Sequence, residues 1–173
     1  MNRIPLQILR QILFASLCLT ASGVYAFDDL SPTSDLSLGS SSSAATVRQH
    51  GALNRASIDQ QGRQQQALVS QAQGSRGGDA HILQAGTDNT ALIAQYGINN
   101  FASLSQTGEG NQALAVQAGN NNMVNFTQFG NRNSAAAVQM GSGNSATFGQ
   151  FGTGITNRVT QIGNNMHASV ITQ

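Results

Sequence analysis

Residues 84–161 form seven lines of eleven residues, QAGTDNTALIA, QYGINNFASLS, QTGEGNQALAV, QAGNNNMVNFT, QFGNRNSAAAV, QMGSGNSATFG and QFGTGITNRVT, and residue 161 opens the next line. Each line begins with glutamine, and glycine follows two places later. Less regular lines precede this stretch from about residue 43. Self-similarity at a fixed period is the sequence signature of a repeat architecture, so the period decides how the rest of the chain is interpreted.

The fixed residues of each line are spaced by two. With the glutamine as position zero, asparagine recurs at position five, alanine at seven and an apolar residue at nine. In an extended strand this spacing puts all of them on one face, whereas a helix would scatter them. The predicted inward ladder comprises Gln49, Gln60, Gln84, Asn89, Gln95, Asn100, Gln106, Asn111, Gln117, Asn122, Gln128, Asn133, Gln139, Asn144, Gln150 and Gln161.

Charged residues indicate which face is buried. None of the charged residues in the repeats occupies position zero, five, seven or nine. Since a buried unpaired charge is very costly, the charge-free face is predicted to be the inner one. Its glutamine and asparagine amides would then satisfy one another as ladders along the stacking direction.

Two lines make one rung of 22 residues, so each line is expected to stack on the second line after it. The predicted fold is all-β, a cross-β solenoid of strand–turn–strand rungs, with twelve strands and about six rungs from residue 43 onward. A strand over residues 89–96 would be followed by a turn over 97–99. The residues assigned to the turns are Gly51, Gly62, Gly86, Gly97, Gly108, Gly119, Gly130, Gly141, Gly152 and Gly163. The spacing after Gln71 stretches to thirteen residues, and an enlarged turn is predicted at Gly74–Gly78.

The chain is predicted to have three segments. Residues 1–26 resemble a signal peptide, with Arg3 and Arg10 before a short apolar run and cleavage after Ala26. That run is too short for a membrane span, which needs roughly 20 apolar residues. Residues 27–42 form an acidic, Ser-rich flexible leader, and residues 43–173 form the solenoid. Because Cys18 lies in the signal segment, the mature chain would leave the cytoplasm without any disulfide.

Composition and side-chain placement argue against several function classes. Without the signal segment, six arginines face seven acidic residues, a net charge of −1, which gives no electrostatic footprint for nucleic acid or an anionic membrane. The carboxylates and the three histidines are scattered, so no catalytic residue, metal ligand or cofactor is predicted. A calcium-binding β-roll would need nonapeptide repeats with aspartate. An ice-binding solenoid would need an outward threonine ladder.

The line Gln95-x-Gly97-x-x-Asn100-x-Ala102-x-x-x-Gln106 resembles the curlin repeat of curli subunits, and the resemblance covers residues 43–173. It implies a functional amyloid that is secreted through an outer-membrane channel of a Gram-negative bacterium. The implied product is an extracellular fibre, or fimbrium, that serves adhesion and biofilm formation. The implied partners are further copies of the chain, the major curlin subunit and the secretion and assembly factors, with no nucleic acid or small-molecule substrate required.

Within that family the chain is similar to the minor, nucleating subunit. Its leader is short, and its last line, residues 166–173, resembles the divergent final repeat of the nucleator. The departure is charge, since those repeats are usually more basic. The candidate nucleation or anchoring residues are Ile155, Asn157, Arg158, Met166, His167 and Gln173. Two alternatives stay open, a major fibre subunit and a surface adhesin that does not polymerise.

Overall fold

The computed structural model describes residues 43–173, so the predicted signal segment with Ala26 and the leader 27–42 lie outside the described residues. Twelve strands follow one another along the described chain. They are β1 (Ala44–Ala52), β2 (Arg55–Arg63), β3 (Gln66–Arg76), β4 (Asp79–Thr87), β5 (Thr90–Ile98), β6 (Phe101–Glu109), β7 (Gln112–Asn120), β8 (Met123–Asn131), β9 (Ser134–Ser142), β10 (Ser145–Thr153), β11 (Thr156–Ile162) and β12 (His167–Thr172).

The strands form two parallel sheets. The first sheet has the order β1-β3-β5-β7-β9-β11, and the second has the order β2-β4-β6-β8-β10-β12. Each strand pairs with the second strand after it, so Gln95 lies beside Gln117 and Gln106 beside Gln128. We call each pair of consecutive strands, with the corner residue before each strand, a rung. Rung 1 contains β1 and β2, and rung 6 contains β11 and β12. The structure confirms the predicted β-solenoid with its 22-residue rungs.

The thin core between the sheets is filled by positions seven and nine. At position nine, a small residue in one strand of a rung compensates for the volume of a large residue in the other. Ala115 and Phe126 share rung 4 in this way, and Ala137 and Phe148 share rung 5. The rings of Phe126 and Phe148 are neighbours along the axis, with centroids 4.5 Å apart and planes tilted by 46°. Such aromatic pairs add stability beyond the area that they bury.

The glycines lie inside the strands rather than in the turns, which corrects the predicted strand and turn bounds. Gly97 is the eighth of nine residues in β5 and has φ 109°. A Cβ built on Gly97 would lie 2.0 Å from the carbonyl oxygen of Gly119 in the next rung, so the backbones approach too closely for any side chain. The same holds for most of the stacked glycines, whereas Gly163 follows the end of β11.

The reversal of chain direction occurs at position four, which is the last residue of the turn predicted over 97–99, whereas residues 97 and 98 still belong to β5. All of these residues have φ between 53° and 71°. They are Leu53, Gln64, Gly77, Asp88, Asn99, Gly110, Asn121, Arg132, Gly143, Gly154 and Asn165. Left-handed backbone costs an ordinary residue roughly 1–2 kcal/mol, and eight of the eleven residues are glycine, asparagine or aspartate, which adopt it most readily, whereas Leu53, Gln64 and Arg132 are ordinary residues. Position four therefore requires left-handed backbone but no single residue type.

The stretched line forms a bulge in β3 rather than an enlarged turn. Gln71 pairs with Gln95 and Arg76 pairs with Ile98, so β3 holds two extra residues between these pairs. Ser75 occupies the place of the stacked glycine, is buried, and donates from Oγ to the Gln95 carbonyl oxygen at 3.2 Å. The bulge therefore absorbs the insertion, and register is restored before β4 begins.

Candidate functional site: the amide ladders and the end rungs

Two glutamine ladders run along the solenoid, one in each sheet. In every case Nε2 of one glutamine donates to Oε1 of the glutamine in the next rung, over 2.6–3.0 Å. The first sheet contributes Gln49, Gln71, Gln95, Gln117, Gln139 and Gln161, and the second contributes Gln60, Gln84, Gln106, Gln128 and Gln150. All nine bonds point from rung 1 towards rung 6, so the ladders have a direction.

The second N–H of the glutamine amides crosses the core. Nε2 of Gln117 donates to the Phe101 carbonyl oxygen at 2.9 Å, and Nε2 of Gln95 donates to that of Asp79 at 3.0 Å. Each of these bonds joins a strand of one sheet to a strand of the other. The buried amides are thereby satisfied, which removes the large cost of an unpaired buried polar group.

Asparagines at position five form a second connection between rungs. Nδ2 of Asn111 donates to the Gly130 carbonyl oxygen at 2.8 Å, and its Oδ1 accepts the Asn133 N–H at 3.0 Å. Asn122 makes the corresponding pair of bonds to rung 5. The bond from Asn111 to Gly130 lies within rung 4, since Gly130 belongs to β8. The other three asparagine bonds, the two glutamine bonds and the bond from Gln139 Nε2 to the Met123 carbonyl oxygen make six side-chain hydrogen bonds between rung 4 and rung 5. Five of the six use an amide of rung 4, and one uses the Gln139 amide of rung 5.

The structure buries fourteen of the sixteen side chains in the predicted inward set. The other two, Gln49 and Gln60, lie in rung 1 and are half-buried, since the described strands cover that rung on one side only. Gln71 and Gln65 were absent from that set although both are fully buried. Gln71 stands at position zero and Gln65 at position five of the irregular lines, and these positions could have identified both as inward residues. Gln65 is longer than asparagine, and its buried Oε1 has no hydrogen-bond partner among the described residues.

Rung 6 differs from the interior rungs at its ladder positions. Ile155 and Met166 stand where rung 5 has Asn133 and Asn144, and both still donate their backbone N–H to those asparagines at 3.0 Å. Thr172 pairs with Gln150 and takes the place of a ladder glutamine, so Gln173 follows one residue late. Of the four amide positions in rung 6, only that of Gln161 keeps an amide.

The remaining candidate residues of rung 6 are dispersed. Nδ2 of Asn157 donates inside the rung to Thr172 Oγ1 at 3.1 Å. Arg158 and His167 are exposed on β11 and β12, which belong to different sheets. The structure therefore does not bring the charged and polar candidates together as one anchoring cluster.

The outer surface of residues 43–173 carries one close ionisable pair. His81 Nε2 lies 2.9 Å from Asp79 Oδ1, and the His81 ring lies 6.1 Å from that of Phe101. The carboxylates and histidines were predicted to be scattered, although the spacing of two on one strand puts Asp79 and His81 on a shared face. Across residues 43–173, no three His, Cys, Asp or Glu side chains form a group that could hold a metal ion. That same part of the chain has no helix with the length and hydropathy to cross a membrane.

Comparison with known proteins identifies the repeat. The family model described as the curlin associated repeat matches the chain twice, at residues 97–130 and 130–163. Each match begins and ends on a stacked glycine and spans four of them, at intervals of eleven residues. No curated protein and no solved structure matched the chain. The matches span residues 97–163, and together with the solenoid that these residues build they identify this part of the chain as curlin repeats and support a place in the curlin family of structural amyloid subunits.

Proposed function

We propose that this chain is the minor curlin subunit, which nucleates polymerisation of the major curlin at the surface of a Gram-negative bacterium. After cleavage of the signal segment it is secreted, and the fibres that it starts serve adhesion and biofilm formation. Its partners are the major curlin, further copies of itself, and the outer-membrane secretion and assembly factors. The function requires no cofactor and no small-molecule substrate.

The observation that carries this proposal is the contrast between the regular interior and rung 6. A subunit of a uniform fibre needs a last rung that matches its interior, because each copy must continue the ladders of the copy before it. Rung 6 instead replaces three of its four ladder amides, by Ile155, Met166 and Thr172. The edge strands of the end rungs can still add a further chain through their backbone groups. A nucleating subunit must pair with further chains, but it does not have to repeat their structure at both of its ends. Rung 6 and the backbone edges of this chain fit that role.

The two alternatives predict different behaviour in solution. A major fibre subunit would polymerise alone as readily as in a mixture. A surface adhesin would remain a soluble monomer. The nucleating subunit should act at a small fraction of the concentration of the chain that it nucleates.

The test is seeding. Assembled residues 27–173, at about one part in a hundred, are added to monomeric major curlin, and amyloid-dye fluorescence is followed over time. We expect the lag to disappear and the fibres to show reflections near 4.8 Å and 10 Å. Unseeded monomer and an equal mass of a non-amyloid protein are the controls. An unchanged lag would refute nucleation, and a chain that stays monomeric at every concentration would support the adhesin.

A further inference from the structure

We propose that the two ends of this solenoid take different partners. Rung 1 is the templating end and accepts the last rung of a different curlin chain, whereas rung 6 terminates the amide ladders. The inference rests on the proposed function, since it names the end of the nucleus from which the fibre grows and the chemistry of the chain that it accepts.

The direction of the side-chain bonds makes the ends unequal. Five of the six side-chain bonds between rung 4 and rung 5 use an amide of rung 4, with glutamine Nε2 donating and asparagine both donating and accepting. The receiving rung contributes glutamine Oε1, backbone groups and one amide, that of Gln139, which donates to the Met123 carbonyl oxygen of rung 4. The number of side-chain hydrogen bonds between two stacked chains therefore depends mainly on the last rung of one chain, and much less on the first rung of the other.

Rung 6 is a poor last rung. Ile155 and Met166 have no amide with which to reach a following rung. The side chain of Thr172 is shorter than that of glutamine, and its Oγ1 already accepts from Asn157. Gln161 alone keeps the ladder geometry, with one N–H directed to the Ser145 carbonyl oxygen and its second N–H available along the axis. A chain stacked on rung 6 would gain two of the six side-chain bonds of an interior joint, one from the Gln161 amide and one from the amide of the incoming Gln49.

Rung 1 is a good receiving rung. Among residues 43–173, no group donates to Oε1 of Gln49 or Gln60, and both oxygens stand at the start of a ladder. The Asn54 N–H is the equivalent of the N–H groups that interior asparagines accept. Val47 and Ile58 continue the apolar column beside them and are partly buried. The occupant that fits is a β-solenoid whose last rung keeps glutamine at both zero positions and asparagine at both five positions.

A second copy of this chain does not fit that description. If its rung 6 were placed beneath rung 1, only Gln161 would reach a ladder acceptor, Gln49. The backbone pairing of the strands would be the same as in any joint, so the lost amide bonds distinguish self-addition from addition of a chain with a complete last rung.

The first experiment restores the last rung. The triple variant Ile155→Asn, Met166→Asn, Thr172→Gln is compared with the wild type for elongation from its own seeds at equal monomer concentration. We expect the restored variant to elongate at least tenfold faster. The matched control carries Thr156→Asn, Thr160→Asn and Ile171→Gln, which place similar amides at exposed positions of the same strands. Equal rates for wild type and restored variant, or a control as fast as the restored variant, would overturn the proposal.

The second experiment locates the wild-type chain within fibres and does not depend on the folding of any variant. Fluorescently labelled wild type is mixed at about one part in a hundred with monomeric major curlin, and single fibres are imaged. We expect the label at one end of each fibre. Label distributed along the fibre, or at both ends equally, would overturn the proposal. If the wild type fails to nucleate major curlin at all, the proposed function fails, while the elongation ratio of the first experiment still tests the inequality of the ends.

Discussion

At the scale of single residues, one interior glutamine amide makes three hydrogen bonds. It donates along the axis, accepts along the axis and donates across the core to the opposite sheet, as Gln117 does with Gln139, Gln95 and Phe101. Buried hydrogen bonds contribute about 1 kcal/mol each, but an orphaned buried group costs about 1–3 kcal/mol. The ladder therefore stabilises the fold chiefly because every buried amide in it has a partner, and less through any single bond.

Replacement of a ladder glutamine should be severe. Gln117→Leu leaves Nε2 of Gln95, Oε1 of Gln139 and the Phe101 carbonyl oxygen without their partner, so we expect a loss of at least about 3 kcal/mol in the free energy of unfolding. Urea denaturation of freshly desalted monomer measures it. Gln112→Leu, at an exposed position on the same strand, is the control and should change stability by less than about 0.5 kcal/mol. Similar losses for both variants would contradict the ladder's role.

Substitutions at two glycines distinguish the cost of close contact between rungs from the cost of left-handed backbone. Gly119→Ala would place a Cβ 1.9 Å from the Gly141 carbonyl oxygen, whereas a Cβ on Gly154 meets no atom within 4 Å although its φ is 71°. We expect Gly154→Ala to cost about 1–2 kcal/mol in unfolding free energy, the price of left-handed backbone alone. Gly119→Ala should cost clearly more and shift strand register in amide hydrogen exchange. Equal costs would show that conformation, and not contact between rungs, selects glycine.

At the scale of strands, the period predicted the pairing but not the bounds. Residues spaced by two identify the inward face, and the 22-residue repeat fixes which strands are neighbours, so β5 beside β7 follows from the sequence. The strand ends did not follow, because glycine commonly marks a turn, whereas Gly97 here permits close stacking inside a strand. The bulge before Arg76 was visible as two extra residues, but its location depended on which backbone groups of β3 remain paired.

The compensation of volumes between the sheets gives a prediction at this scale. Phe126→Ala should destabilise the chain by about 3–5 kcal/mol through a cavity in rung 4, and Ala115→Phe should destabilise it by overpacking. The double variant exchanges the two side chains across the same rung. We expect it to be more stable than the sum of the single effects by more than about 1 kcal/mol, measured by urea denaturation. Strict additivity would show that the two positions do not share one space.

At the scale of the whole molecule, charge is concentrated at the end that we assign to templating. Rung 1 carries Arg48, Arg55, Asp59 and Arg63, all exposed, whereas rung 4 carries no charged residue. Charged residues that flank aggregation-prone strands slow assembly. The charges of rung 1 would thus delay polymerisation until the chain reaches its partners.

Removal of these charges should accelerate assembly. We expect the triple variant Arg55→Ser, Asp59→Ser, Arg63→Ser to show an amyloid-dye lag shortened by a factor of about two or more. Arg76→Ser, Glu109→Ser, Arg132→Ser removes the same number of charges of each sign from rungs 2, 3 and 5 and is the control. A lag that is unchanged in the first variant, or shortened equally in both, would contradict a specific role of rung 1.

The sequence predicted more of the molecule's architecture than of its ends. The ladder, the rung length and the inner face follow from residue spacing, since every rung repeats the same physical solution. The role of rung 6 required the bond directions, because the replacements at Ile155, Met166 and Thr172 matter only if the connecting amides belong to the preceding rung.

The uniform direction of the glutamine ladders also gives the solenoid an electrical axis. A primary amide carries a dipole similar to that of a peptide unit, about 3.5 D, and parallel dipoles in a line add. The nine ladder bonds point the same way, so partial negative charge gathers at the carbonyl oxygens of Gln49 and Gln60 and partial positive charge at the N–H of Gln161. A fibre grown from rung 1 would extend this polarisation with every chain added. Its growing tip would therefore attract cations and hydrogen-bond donors from solution before any strand has paired.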